Sequence, residues 1–384
     1  MKLAVLKERT TAETRVAASP ETVKKLCNLG LDVCVEQGAG DRSHIDDDAY
    51  AQAGAELANS LDECLNSADV VLKVRAPTDE ELAHFPAGAT LIGMLEPYRA
   101  ESAPNRYAER HVNAFAMELL PRITRAQTMD VLSSQSNLAG YRAVIDAAAE
   151  FNRAMPMMMT AAGTVAPAKV LVMGAGVAGL QAIATARRLG AIVNATDVRM
   201  AAKEQVESLG ASFLMVDADG EDDAETSGGY AREMSAEYQA RQAALVAKTI
   251  ATQDIVILTA LIPGRPAPTL VTAEMVASMK PGSVIFDLAV EQGGNCPLSE
   301  PGKSVCVDGV TILGPVNTPG RLATDASALY SRNLLNFLTP MLGEANGKLA
   351  IDWEDEIICA TALTRDGEVV HPGFCPPESR SNDE

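Results

Sequence analysis

Basic residues, aromatic residues and long apolar runs are scarce in this sequence of 384 residues. Lys and Arg number 32 against 51 Asp and Glu, which gives a formal net charge of −19. A chain with this charge repels phosphate backbones and anionic lipids, so we do not expect nucleic acid as a partner. No run approaches the roughly 18 apolar residues that span a bilayer, and the N-terminus becomes charged too early for a signal peptide. We therefore expect a chain that does not cross a membrane by itself.

The seven cysteines are scattered, odd in number and without any C-x-x-C pair. This pattern gives neither a disulfide framework nor zinc-ligand spacing, so we expect free thiols, a reducing cytoplasm and no metal site. Hydrophobic residues make up 47% of the chain, a proportion typical of soluble globular proteins.

Short apolar runs alternate with helical patterns along the chain. Strands alternating with helices form βαβ units, so the sequence predicts the α/β class with parallel sheets. In the first third, the predicted strands are residues 3–6, 32–35, 70–74, 90–95 and 114–120, with a helix at 20–29. Residues 130–155 are predicted to form one long helix, and residues 326–342 another. Further strands are predicted at residues 169–173, 212–216, 255–260, 283–288 and 310–314.

A glycine motif follows the strand predicted at residues 169–173. Gly174, Gly176 and Gly179 form G-x-G-x-x-G at the mouth of a helix, where amides and the helix dipole favour a pyrophosphate. Such a turn also serves packing alone, but Asp197 ends the following strand, where a carboxylate can accept ribose hydroxyls. This carboxylate would repel the 2′-phosphate of NADP, so the motif favours NAD(H). Arg199 is either a phosphate ligand or an ion-paired arginine.

The segment 121–142 concentrates polar residues at the start of a predicted helix. Arg122, Gln127, Asp130 and Ser133 belong to it. One interpretation is a capped helix with a polar face; the other is a site that grips the carboxamide and ribose of a nicotinamide nucleotide.

Several blocks in order resemble the NAD(H)-binding alpha-subunit component of proton-translocating NAD(P) transhydrogenase. They are PRITRAQTMDVLSSQSNLAGYRAV, KVLVMGAGVAGLQAIATARRLGA, TALIPGRPAP and KPGSVIFDLAVEQGGNCPLSEPG. The opening KERTTAETRVAASPE also resembles the start shared by transhydrogenases and alanine dehydrogenases. The resemblance covers nearly the whole chain.

This resemblance implies two doubly wound Rossmann-like domains with a nucleotide cleft between them. Residues 1–138 plus 323–384 would form the N-terminal domain, and residues 139–322 the NAD(H)-binding domain. The family's hydride-transfer residues fall on Arg122, Gln127, Asp130 and Ser133. The implied cofactor contacts are Gly174, Gly176, Val177, Gly179, Asp197, Val198, Arg199, Gly229, Tyr230, Gln242 and Leu261.

The resemblance also implies a function and partners. The chain would bind NAD(H) and transfer hydride directly to NADP+ held by a separate NADP(H)-binding subunit, with membrane subunits coupling this to proton translocation. It would be a homodimer, peripheral on the cytoplasmic face of the inner membrane. Because no spanning segment is present, a split-subunit version is expected.

Two alternatives remain open. An alanine-dehydrogenase-like enzyme needs a general acid/base, which that family supplies as a histidine, whereas the matching stretch LIGMLEPYRA carries Glu96 and no histidine. Arg15 and Lys73 match substrate-binding positions of those enzymes; we interpret them as ion-paired with Glu8 or Glu13 at a partly exposed position. The other alternative is a regulatory subunit that senses NAD(H) without turnover.

Overall fold

The computed structural model describes residues 1–99, 103–216, 236–262, 264–343 and 349–375, with side chains omitted for 236–239. The chain divides into two compact units. Unit 1 contains Met1–Gln135 and Leu322–Glu384, and unit 2 contains Ser136–Arg321. One long helix, α6, comprises Val131–Glu150 and crosses the limit between the units.

Unit 1 is built on a six-stranded parallel sheet. Its strands are β1 (Lys2–Val5), β2 (Asp32–Glu36), β3 (Glu56–Ala58), β4 (Val70–Arg75), β5 (Thr90–Met94) and β6 (Asn113–Ala116). They are ordered β3-β2-β1-β4-β5-β6. The order reverses between β1 and β4, which is the topological switch point of a doubly wound fold.

Helices cover both faces of this sheet. Those before α6 are α1 (Pro20–Asn28), α2 (Asp47–Gln52), α3 (Leu61–Leu65), α4 (Asp79–Ala83) and α5 (Asn105–Ala108). Helix α1 begins as the sequence predicts, because Ser19 and Thr22 form a capping box and Pro20 occupies the first turn. Separate apolar clusters pack on the two faces of the sheet, so all its central strands are buried.

The C-terminal segment completes unit 1. Helix α11 (Ala323–Leu338) contributes Tyr330, Leu334 and Leu338 to the core beside β1 and β4. It is followed by helix α12 (Glu356–Thr361) and a hairpin of β16 (Thr364–Arg365) and β17 (Glu368–Val369).

Unit 2 is built on a seven-stranded sheet. Its strands are β9 (Lys169–Met173), β10 (Ile192–Thr196), β11 (Ser212–Phe213), β12 (Ile255–Leu258), β13 (Val284–Asp287), β14 (Lys303–Val307) and β15 (Val310–Gly314). Their order is β11-β10-β9-β12-β13-β15-β14. All pairs are parallel except β14 with β15, and the switch point lies between β9 and β12. Two doubly wound parallel sheets confirm the predicted α/β class.

Four further helices and one hairpin complete unit 2. The helices are α7 (Val177–Arg188), α8 (Ala202–Ser208), α9 (Ala236–Ile250) and α10 (Ala273–Ser278). The hairpin pairs β7 (Met158–Thr160) with β8 (Gly163–Val165), and Met157 and Met159 are 60% and 78% exposed. In the described part of the chain, no helix is long and apolar enough to cross a membrane.

The long helix ends earlier than the sequence predicts. Helix α6 stops at Glu150 rather than near residue 155. The residue before a proline is disfavoured in the helical conformation, and Met155 precedes Pro156. The Met155 carbonyl instead accepts the Ala168 amide, which leads the chain into β9.

Candidate nucleotide site

The turn between β9 and α7 depends on glycine at two positions. Gly174 adopts a φ of +98°, a left-handed conformation that L side chains rarely adopt. A Cβ on Gly179 would lie 1.8 Å from the Gly174 carbonyl oxygen, so helix α7 can approach β9 only without a side chain there. Both glycines therefore fix the shape of the turn.

Gly176 has a different role, because a Cβ built on it meets no atom within 4 Å. It is the N-cap of α7 and offers no capping side chain. The open space lies at the N-terminus of a twelve-residue helix, where the helix dipole and the first amides attract anions. Val177, 38% exposed, follows Gly176 in the first turn. The described atoms thus leave room for a phosphate at the turn.

The Asp197 carboxylate follows β10 and accepts four hydrogen bonds. Oδ2 accepts the Ala175 amide at 2.6 Å and the Arg199 guanidinium at 3.1 Å. Oδ1 accepts the Arg199 amide at 2.8 Å and its Nε at 3.0 Å. Four donors equal the usual capacity of a carboxylate, so a ribose hydroxyl can bind only in place of one of them.

Of the two interpretations offered for Arg199, the structure shows the ion pair. Its side chain is 18% exposed and that of Asp197 is 7% exposed. The pair lies next to the open edge of the turn, and its net charge is close to zero. A lone carboxylate, as considered from the sequence, would repel an added phosphate more strongly than this pair does.

The turn after β12 lies across the switch point from the glycine turn. Thr259 Oγ1 donates to the Gly174 carbonyl at 2.9 Å and therefore ties the two turns together. The buried Asn295 side chain accepts the Ala260 amide at 3.1 Å and donates to the carbonyls of Ala260 and Pro268 at 2.9 and 2.8 Å. These bonds hold the segment that presents Leu261, which is 39% exposed.

Gln242, on α9, is close to the same edge. Its Nε2 donates to Thr196 Oγ1 at 2.6 Å, and its Oε1 accepts the Val216 amide at 3.2 Å. Gln242 thus braces the end of β10 just before Asp197 and Val198. Gly229 and Tyr230 lie outside the described residues.

The segment 121–133, named here the reaction loop, belongs to unit 1. A 3-10 helix, Thr124–Met129, turns Ala126 and Met129 into the core, while Gln127 and the preceding Arg122 are exposed. Asp130 accepts the Ser133 amide at 2.9 Å and also the Ser133 hydroxyl. The structure therefore brings Asp130 and Ser133 together and presents Gln127 at the surface of unit 1.

Lys73 is fully buried in unit 1, 1% exposed, among glutamates. Its ammonium lies 2.7 Å from Glu81 and 3.5 Å from Glu8. Glu8 also accepts the Val74 amide at 2.7 Å. Burial raises the pKa of Glu8, and the positive charge of Lys73 offsets only part of this effect.

Arg15 belongs to a second buried group. Its guanidinium donates to Glu13 at 2.7 Å and to Gln135 at 2.9 Å, and Arg75 contacts Glu13 at 2.9 Å. Burial acts to raise the pKa of Glu13, but the two guanidinium groups outweigh it and lower this pKa to about 2. The pairing of Arg15 and Lys73 with Glu13 and Glu8 agrees with the sequence interpretation, but the expected partial exposure was wrong.

Glu96 occupies the position where a catalytic histidine would be expected in an alanine dehydrogenase. Its φ is +47°, and its carboxylate contacts Arg75 at 3.2 Å and Arg99 at 3.6 Å. The buried Glu118 accepts the amides of Leu95 and Glu96. Burial raises the pKa of Glu118 to about 7, and these amide bonds limit the increase. Among the described residues, no three His, Cys, Asp or Glu side chains form a metal site.

Comparison with known proteins assigns the family. The models for the alanine dehydrogenase/PNT N-terminal and C-terminal domains match residues 4–139 and 143–372. In Rhodospirillum rubrum, the first of the chains that make up NAD(P) transhydrogenase subunit alpha is 58% identical over 379 residues, which cover 97% of this chain and 99% of that protein. The chain belongs to the NAD(P) transhydrogenase alpha-subunit family.

Solved structures agree with this transhydrogenase assignment. The crystal structure of transhydrogenase from Sinorhizobium meliloti matches with a TM-score of 0.88 and 57% identity, covering 96% of this chain and all of that one. An L-alanine dehydrogenase matches with a TM-score of 0.82 and 26% identity, covering 97% and 98%. The resemblance stated from the sequence is confirmed, and the chain is more similar to transhydrogenases than to this dehydrogenase.

Proposed function

We propose that this chain is the NAD(H)-binding subunit of a proton-translocating NAD(P)+ transhydrogenase. It would bind NADH in unit 2 and transfer hydride directly to NADP+ on a partner subunit. The observation that carries this proposal is the strand-end carboxylate, Asp197, beside a glycine turn with open space at Gly176. High identity to transhydrogenase alpha subunits along the whole chain supports the choice of reaction.

The reaction balances without a proton donor. NADH loses one hydride, a proton with two electrons, and becomes NAD+; NADP+ gains the same hydride and becomes NADPH. Such a transfer needs the two nicotinamide rings about 3 to 3.5 Å apart, aligned and protected from water. The presence of Glu96, held by arginines, in place of a histidine is consistent with this requirement.

Each site residue has a proposed role. Gly174 and Gly179 shape the pyrophosphate turn, and Gly176 leaves room for the phosphates. Asp197 would accept the adenosine ribose in exchange for Arg199, with Val177, Val198 and Leu261 as apolar contacts. In the reaction loop, Arg122, Gln127, Asp130 and Ser133 would hold the nicotinamide and its ribose in the geometry for transfer. We include Gly229, Tyr230 and Gln242 among the nucleotide contacts.

The proposal extends to assembly. The chain would form a homodimer and dock with an NADP(H)-binding subunit and membrane proton-channel subunits, on the cytoplasmic face of the inner membrane. Support for self-association comes from the hairpin β7–β8, whose Met157, Met158 and Met159 are exposed. Clustered exposed apolar side chains favour a protein interface.

A matched pair of glycine variants tests nucleotide binding. Gly176→Ala adds a methyl group to open space, so the fold should persist while NADH affinity falls by tenfold or more. Gly179→Ala places a methyl group against the Gly174 carbonyl and should lower thermal stability. Titration of NADH fluorescence and thermal unfolding measure the two effects. Full NADH affinity in Gly176→Ala would contradict the proposed site.

A second experiment tests the reaction. NADH is mixed with the chain and an NADP+-loaded transhydrogenase partner subunit, and separately with the chain, pyruvate and ammonia. We expect nicotinamide oxidation only in the first mixture. Oxidation only in the second would indicate an alanine dehydrogenase, and NADH binding without oxidation in either would indicate a sensing subunit.

A further inference from the structure

Two side chains of α11 hold a single carbonyl group of the reaction loop. The Thr128 carbonyl oxygen accepts Asn333 Nδ2 at 2.9 Å and Asn336 Nδ2 at 3.0 Å. The two asparagines are three residues apart and therefore neighbours on one side of the helix. A carbonyl oxygen has two lone pairs, so this pair of amides satisfies it completely.

Asn333 is fixed in the orientation that this contact needs. Its Oδ1 accepts the Ser134 hydroxyl at 2.8 Å, while its Nδ2 donates to Thr128. The side chain is buried between core residues of α11. Rotating the amide by half a turn would exchange donor and acceptor and break both bonds. Asn333 is therefore a directional brace and not merely a filler of space.

The location of Thr128 gives this brace its importance. It is next to Gln127 and two residues before Asp130, at the end of the 3-10 helix Thr124–Met129. The last carbonyls of a helix have no partner within the helix, so their direction depends on contacts from elsewhere. The contacts from Asn333 and Asn336 connect residues 205 and 208 positions apart.

We propose that Asn333 and Asn336 are positioning residues for hydride transfer, acting through the backbone of the reaction loop on Gln127. This inference rests on the proposed function. Neither asparagine touches substrate in the role assigned; both set the angle at which the loop presents its side chains. A displacement of about 1 Å can lower the rate of a transfer by about 100-fold. Removing the brace should therefore affect the transfer rate much more than NADH affinity.

Three variants and a control test this role. Asn333→Asp keeps an acceptor for Ser134 but cannot donate to Thr128, and Asn336→Ala removes the second donor from a half-buried position. The double variant removes both. Arg332→Ala, on the same helix, breaks only the exposed ion pair with Glu21 and is the control. Single-turnover hydride transfer to an NADP+-loaded partner subunit, NADH titration and thermal unfolding are measured for each.

We expect the double variant to transfer hydride at least tenfold more slowly, with the NADH dissociation constant changed by less than threefold and Arg332→Ala unchanged. In a Gln127→Asn background the same double variant should lower the rate by less than threefold, because the positioned group is already altered. Multiplicative rate losses in that background, or equal losses of rate and affinity, would overturn the inference.

The controls separate this inference from the proposed function. If the wild-type chain transfers hydride and the asparagine variants match it, the inference alone is wrong. If the wild-type chain binds NADH but transfers no hydride, the proposed function fails, and the inference fails with it. Should the double variant unfold, Asn336→Ala alone is the milder test and must still slow transfer.

Discussion

Reversing the charge balance at the Asp197–Arg199 pair should change nucleotide preference in opposite directions. Two unit charges about 4 Å apart interact by about 4 kcal/mol at an effective dielectric constant of 20. A 2′-phosphate beside this pair would meet repulsion from Asp197 and attraction from Arg199, and the two guanidinium bonds of 3.0 and 3.1 Å place these charges close together. The opposing contributions therefore largely cancel in the wild-type chain.

Removing one partner leaves the other contribution uncancelled. Solvent screening at this partly open edge reduces it to about 1.4 kcal/mol, which is a tenfold change in affinity. Asp197→Ala should thus lower the ratio of the NADPH to the NADH dissociation constant about tenfold, and Arg199→Ala should raise it about tenfold. The double variant should return towards the wild-type ratio.

Direct titration of both reduced nucleotides at low ionic strength measures these ratios. Raising the salt concentration should shrink both changes, because the Debye length shortens. The reasoning is refuted if both single variants move the ratio in the same direction. It is also refuted if Arg199→Ala leaves the ratio unchanged, since the ion pair would then have no influence on the site.

Three further predictions concern stability and loop position. Glu13→Gln should destabilise the protein by about 3 kcal/mol at pH 7, because the pKa of Glu13 is lowered to about 2 from 4.5; in wild type this contribution is lost as pH falls from about 4.5 to 2, as denaturant titrations would show. Glu118 has a pKa raised to about 7, so wild-type stability falls between pH 4.5 and 7; Glu118→Gln should gain up to about 3 kcal/mol relative to wild type from pH 5 to pH 8. Asn295→Ala should weaken NADH binding at least threefold by releasing Leu261, and unchanged affinity in a titration would contradict this.

The sequence predicts those parts of the fold that are encoded locally. Buried parallel strands are continuous apolar runs, so β9, β12, β13 and β15 are found within two residues of their bounds. Strand β14 was not predicted, because it is a largely exposed antiparallel edge strand with little apolar signal. Strand β3 is only three residues long and carries too little pattern to distinguish it from a loop.

The candidate site divides in the same way. The position of Asp197 at a strand end follows from the spacing of the glycine motif, which is local. The choice of Arg199 between a phosphate and Asp197 depends on a side-chain rotamer and could not be settled from the sequence. The braces from Asn295 to Ala260 and from Asn333 to Thr128 join positions 35 and 205 residues apart. One available signal was the presence of two asparagines three residues apart in an otherwise apolar stretch of α11.

Burial separates two ion-pair groups that look alike in the sequence. Arg199 is partly exposed, so exchanging its bonds to Asp197 for bonds from a ribose costs little, because each group can be solvated or re-paired. Lys73 is 1% exposed and already held by Glu81 and Glu8, so a substrate carboxylate would have to enter a buried cluster rich in glutamate. An incoming anion there meets like charges in a region of low dielectric constant. The exchangeable pair in unit 2 therefore favours nucleotide binding, and the enclosed cluster in unit 1 disfavours binding of a small carboxylate such as pyruvate.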